Sequence, residues 1–126
     1  MGTWGAGPFE NDAAADLLVE ISAASFDFES QAWAFDDEYI EVDGGQIAIA
    51  MGALVTIGRG DGSGGPADVD AVAFAASLTD EQLGRLRDWT GRALADGDTS
   101  ELYELWEESE DLDEWLTASR ASIPPA

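Results

Sequence analysis

Apolar residues recur at spacings of three and four in three stretches of the chain, which predicts an amphipathic helix in each. Within the second stretch, the pattern Thr79-x-x-Gln82 matches a capping box, which fixes the start of that helix. Within the third, apolar residues keep one helical phase, with a break near Ser109–Asp111 as the alternative to one continuous helix. The first two predicted stretches are Asp12–Ser25 and Thr79–Gly97, and the third runs from Thr99 or Ser100 to about Ala121.

The segment Tyr39–Ile57 satisfies two different patterns. Alternation around Asp43–Gly44 is typical of a hairpin, whereas the later apolar residues have helical spacing and include Ala and Met. We predict a buried helix from about Gly45 to Ile57, started by Asp43, with the hairpin as the alternative. Gly52 inside this helix costs about 1 kcal/mol relative to Ala, which suggests close approach of another helix.

Two further segments have weaker periodicity. Phe26–Phe35 alternates aromatic and polar residues, and we predict a loop with one helical turn near Trp33. Ala67–Leu78 fits either a short helix or an extended crossing, after a glycine-rich loop at Gly58–Pro66. The predicted fold is therefore all-α, a single compact domain of four to five helices over residues 1–126.

The first eleven residues combine three glycines and a proline with two large apolar side chains, Trp4 and Phe9. Glycine and proline disfavour regular structure here, while the aromatic side chains favour burial. We predict a glycine-rich loop packed on the core, followed by a helix that Asn11 or Asp12 caps.

The same opening carries a family resemblance. The pattern Met-Gly-x-Trp-Gly-x-Gly-x-Phe-x-Asn-Asp-x-Ala-x-Asp, from Met1 to Asp16, resembles the start of an uncharacterised bacterial family, domain of unknown function number 4259. Weaker similarity continues through Ile47–Ala50 and Ser100–Trp106. The resemblance implies a small, mostly helical bacterial protein, and it implies no activity.

The composition excludes several kinds of chemistry. The chain has no His, no Cys and no Lys, which removes the usual general base, thiol catalysis, Schiff-base chemistry and the commonest transition-metal ligands. With no catalytic signature present, we expect no enzymatic activity and no cofactor. A net charge of −22 disfavours nucleic acid and anionic membranes as partners. With neither a signal peptide nor a transmembrane stretch visible, we expect a cytoplasmic protein.

The acidic residues are densest between Asp96 and Glu114, where ten of nineteen residues are Asp or Glu. Glu101, Glu104 and Glu108 share one helical face, and such a face suits a basic protein partner. The simpler interpretation is a solvated helix whose charge is partly neutralised by arginines of the preceding helix. A calcium loop starting at Asp96 is disfavoured because Glu101 occupies the position that requires glycine.

A second functional hypothesis places a site at the opposite end of the chain. Trp4 could form a platform for a small molecule, and Asp12 and Asp16 could bind it or a divalent cation near the N-terminal loop. The leading hypothesis remains a protein-interaction or accessory module that binds a basic partner through its acidic C-terminal helical face.

Overall fold

The computed structural model describes residues 7–36, 39–60 and 69–123. This part of the chain forms six α-helices and one 3-10 helix, and its only strand-like pairing is an isolated bridge. The α-helices are α1 (Asp12–Ser22), α2 (Val42–Arg59), α3 (Ala71–Ser77), α4 (Asp80–Ala93), α5 (Glu101–Glu108) and α6 (Leu112–Arg120), and the 3-10 helix is Phe28–Phe35.

Helix α2 is the centre of the fold. It packs against α1, α3, α4, α5 and the 3-10 helix, and it is buried almost continuously from Gly44 to Val55. A helix that is apolar on every side is expected to lie within a core. One group of apolar side chains joins α2 to α1, α3, α4 and the 3-10 helix, and a second group around Ile49 and Trp115 joins it to α5 and α6.

Local capping residues explain where four of the other helices begin. The Asn11 side chain accepts a hydrogen bond from the Ala14 N–H at 2.8 Å, so Asn11 rather than Asp12 caps α1. Asp70 and Ser100 cap α3 and α5 in the same way. Both hydrogen bonds of the capping box predicted between Thr79 and Gln82 are present at the start of α4. Each bond satisfies a first-turn N–H group that has no partner within its helix.

The all-helical fold is confirmed for the described residues, but the predicted number of four to five helices is too low. Two segments account for the difference. The aromatic segment predicted as a loop forms the 3-10 helix Phe28–Phe35, because Phe28 and Phe35 both stack on Trp89 of α4. The last stretch is divided into α5 and α6 at the break near Ser109–Asp111, where Glu110 has a positive φ of 69°.

The predicted bounds of two other helices need correction. Helix α1 ends at Ser22 rather than Ser25, because Ala24 turns the chain with a φ of 59°. The N–H groups of Ala24 and Ser25 then bond the Ile21 and Glu20 carbonyls, as in a Schellman motif. Helix α4 ends at Ala93 rather than at Gly97.

The central segment is helical, and no hairpin forms around Asp43–Gly44. Helix α2 nevertheless begins at Val42, three residues before the predicted start, and Asp43 lies inside its first turn. Ile40 pairs instead with Ser100 in a parallel bridge, through hydrogen bonds of 2.8 and 2.9 Å. The start of α2 is therefore set by a distant part of the chain.

Gly52 marks a close approach, as its position in α2 predicts. A Cβ atom on Gly52 would overlap the Ser122 carbonyl oxygen and would lie 3.0 Å from Cγ2 of Thr90 on α4. The nearest neighbour of that Cβ is thus the segment after α6 rather than a helix.

Among the helices of the described residues, none combines the length and the hydrophobicity that a membrane-spanning helix needs.

Candidate functional site

Glu101 has a structural role at the junction between α2 and α5. Its Oε1 accepts a hydrogen bond from the Val42 N–H at 2.8 Å, and its own N–H donates to the Ile40 carbonyl at 2.9 Å. The residue before α2, Glu41, makes no side-chain capping bond. Glu101 therefore supplies the missing cap from 59 residues away, and its carboxylate lies against the positive end of the α2 dipole.

Glu104 and Glu108 differ from Glu101 because both are exposed. Seven of the eleven residues from 104 to 114 are exposed acids, and they define what we call the acidic face. Its members are Glu104, Glu107, Glu108, Glu110, Asp111, Asp113 and Glu114.

Arg85 and Arg92 of α4 make contacts with the 3-10 helix and with α4 itself. Arg85 Nη1 lies 2.8 Å from Oε1 of Glu29, while Gln82 donates to the other oxygen of that carboxylate. These hydrogen bonds, that from Arg85 above all, hold the pKa of Glu29 below its usual range. Arg92 donates to the Phe35 carbonyl at 3.2 Å and lies 3.8 Å from Asp88, one turn earlier in α4.

Aromatic side chains lie beside the acidic face. Trp115 is buried, whereas Tyr103 and Trp106 of α5 are only partly buried. Tyr103 meets the Trp115 ring edge-on at a centroid distance of 6.0 Å, and Trp106 lies parallel to it at 6.1 Å. These contacts attach α5 to α6 and leave part of two aromatic rings next to exposed carboxylates.

Two exposed aromatic residues lie near the start of α2, and the sequence analysis did not identify them as site residues. Trp33 is 71% exposed and Tyr39 is 41% exposed, although aromatic side chains are usually mostly buried. Partial desolvation raises the pKa of the Tyr39 hydroxyl, and the nearby charges of Glu101, Glu104 and Glu41 raise it further. The backbone pairing of Ile40 with Ser100 places Tyr39 close to the beginning of α5.

Of the three residues predicted for a ligand site near the N-terminal loop, two lie in the described part of the chain. Trp4 lies outside the described residues, while Asp12 and Asp16 are exposed on α1. Phe9 packs against the first core group, as predicted. Across residues 7–36, 39–60 and 69–123, no group of three or more acidic side chains is arranged to hold a metal ion.

An open groove of about 400 Å³ lies at the other end of α1. Ile21 and Ser22 line it from α1, and Phe74 and Ser77 line it from α3. With a rise of about 1.5 Å per residue, Asp12 is roughly 14 Å along the helix from Ile21. The groove is therefore separate from Asp12, and Asp16 does not line it.

Taken together, these features define a small, strongly acidic, mostly helical protein with an acidic surface on its C-terminal helices. The model of a family described as a domain of unknown function, DUF4259, matches residues 2–118, and the chain belongs to this family. No curated protein and no solved structure shows a significant match to the chain.

Proposed function

We propose that the protein is an interaction module whose acidic face binds a basic protein partner. The observation that carries the proposal is the density of exposed carboxylates, seven within eleven consecutive residues. Closely spaced carboxylates make the local electrostatic potential strongly negative. This negative potential speeds the approach of a positively charged protein and selects its orientation. The net charge of the whole chain, −22, has the same sign as the acidic face.

Of the three glutamates that the sequence analysis assigns to partner binding, Glu104 and Glu108 are the ones that contact the partner in this proposal. They lie one helical turn apart, and both carboxylates are exposed. Glu101 has a different role, because its carboxylate is hydrogen-bonded to the Val42 N–H. Docking is therefore expected to depend on Glu104 and Glu108 directly, and on Glu101 through the stability of the α2–α5 junction.

Co-purification from the native host at near-physiological salt tests the proposal. The expected result is a stoichiometric basic protein that is retained by the wild type and released at high salt. The double reversal Glu104→Arg/Glu108→Arg should abolish retention without unfolding the protein. The matched control is Asp16→Arg/Glu20→Arg, which changes the same charge at the same spacing on the exposed side of α1.

Either of two outcomes contradicts the proposal. A folded, monodisperse protein that retains no partner would argue against a stable complex. Equal loss of the partner in both double reversals would show that net charge, and not the acidic face, governs association.

The alternative function is binding of a small molecule or divalent cation near Trp4, Asp12 and Asp16. In the described part of the chain, neither Asp12 nor Asp16 lines the groove on α1. A melting temperature that rises with a ligand, and no longer does so in Asp16→Asn, would favour this alternative over docking.

A further inference from the structure

The sequence neighbours of the exposed aromatic residues Trp33 and Tyr39 both pack against one glycine at the start of α2, Gly44. The Ala34 Cβ and the Ile40 Cγ2 are both 3.2 Å from the position that a Cβ on Gly44 would occupy. Since Trp33 is next to Ala34 and Tyr39 is next to Ile40, both aromatic residues belong to the same end of the molecule.

The backbone pairing explains why Tyr39 faces solvent. Ile40 is completely buried where it pairs with Ser100, so side chains on either side of it in this extended segment point the other way. Tyr39 and Glu41 are accordingly exposed, and they lie next to the first turn of α5, which contains Glu104.

Exposed acids accompany the two rings. We name this set the aromatic–acidic surface, and each of its side chains is exposed. It consists of Trp33, Asp36, Tyr39, Glu41 and Glu104.

We infer that the aromatic–acidic surface binds an arginine-bearing segment of the basic partner, with Trp33 and Tyr39 as its anchoring residues. The inference rests on the proposed function, and it names the cation that the partner presents. Large aromatic residues are enriched among the few side chains that dominate binding energy at protein interfaces. The carboxylates select a positive charge, and the rings select a planar guanidinium, which stacks on aromatic faces and pairs with carboxylates at the same time.

Two short peptides of equal length and charge test this inference, one of arginine and serine and the other of lysine and serine. Their affinities for the full chain are measured by fluorescence anisotropy at near-physiological salt. The arginine peptide should bind more tightly. Trp33→Ala or Tyr39→Ala should weaken its binding roughly three- to thirtyfold, the range expected from loss of a cation–π contact.

The control is Val19→Ala, because Val19 is 65% exposed on α1 and is also apolar. It should leave both affinities unchanged. Thermal unfolding of Trp33→Ala should match the wild type, since an exposed side chain contributes little to the core.

Three outcomes would overturn the inference, and they separate it from the proposed function. If both peptides bind equally and only Glu104→Arg/Glu108→Arg weakens them, the partner is basic but does not use these anchors. If neither peptide binds while a basic partner is still retained in the co-purification, the inference fails and the proposed function stands. If the wild type sediments as a dimer and Trp33→Ala as a monomer, a second copy of the chain occupies the surface.

Discussion

Replacement of Glu101 by Ala tests whether this residue serves the fold rather than the partner. The change removes the acceptor of the 2.8 Å hydrogen bond from the Val42 N–H and leaves that group without its cap. Loss of a helix cap costs about 0.5–2 kcal/mol, and a hydrogen bond to a charged group contributes about 1.5–3 kcal/mol. Since the bond is only partly buried, water replaces part of it, and we expect a loss of about 1–2 kcal/mol.

Glu104→Ala is the matched control. Glu101 and Glu104 both lie in the first turn of α5, so either substitution removes one favourable charge from the same helix dipole. Only Glu101 also caps the start of α2, through its hydrogen bond from the Val42 N–H. Glu104→Ala should therefore change the free energy of unfolding by less than about 0.5 kcal/mol. Glu101→Gln retains an acceptor oxygen and should fall between the two.

Urea denaturation followed by tryptophan fluorescence measures these free energies. For a chain of this length, a loss of 1–2 kcal/mol corresponds to a drop in melting temperature of roughly 3–10 °C. If Glu101→Ala and Glu104→Ala change the free energy of unfolding equally, Glu101 does not cap α2. Glu101 would then be expected to act in docking, like Glu104 and Glu108.

Three further predictions follow from packing, backbone geometry and charge. Gly52→Ala should cost about 1–3 kcal/mol because its Cβ overlaps the chain after α6, whereas Gly84→Ala, which meets nothing within 4 Å, should gain up to about 1 kcal/mol. Ala24→Gly should stabilise the protein by about 0.5–1 kcal/mol, because glycine adopts the positive φ at this position without strain. The stability advantage of wild type over Glu29→Gln should be full at neutral pH and should disappear on acidification, because Arg85 lowers the pKa of Glu29.

Denaturation with urea measures the first two effects, and the same titration at several pH values measures the third. The sign for Glu29 follows from its lowered pKa in the folded state. Its contribution is complete above the ordinary value of 4.5 and is lost as the pH falls through the lowered value. The packing prediction is contradicted if Gly52→Ala and Gly84→Ala change the free energy of unfolding with the same sign. The backbone prediction is contradicted if Ala24→Gly is less stable than the wild type. The charge prediction is contradicted if the stability difference between wild type and Glu29→Gln does not vary with pH.

The sequence predicts those parts of the fold that depend on neighbouring residues. The capping box at Thr79 and Gln82 and the cap at Asn11 both rely on side chains within a few positions of the backbone groups they affect. Their geometry is therefore encoded locally, and periodicity adds the faces that turn toward the core.

Two of the errors arise where distant residues decide the local structure. The start of α2 is displaced because Glu101, 59 residues away, caps Val42. The segment from Phe28 to Phe35 is a 3-10 helix because both of its end residues stack on Trp89, with centroid distances of 4.9 and 4.1 Å.

The candidate site was predictable in composition but not in detail. The acidic cluster is evident from the sequence, and the structure places Glu104 and Glu108 at the surface. The different role of Glu101 and the exposure of Trp33 and Tyr39 both depend on how α2 and α5 meet, which no local pattern specifies.

The most direct test of docking through the acidic face is the salt dependence of affinity for the co-purified basic partner. Ion pairing predicts that the affinity of the wild type falls steeply as salt increases, because salt screens exposed charges. The affinity of Glu104→Arg/Glu108→Arg should be much lower and less dependent on salt, and Asp16→Arg/Glu20→Arg should behave like the wild type. An affinity that is insensitive to salt, or equal for the two double reversals, would contradict docking through this face.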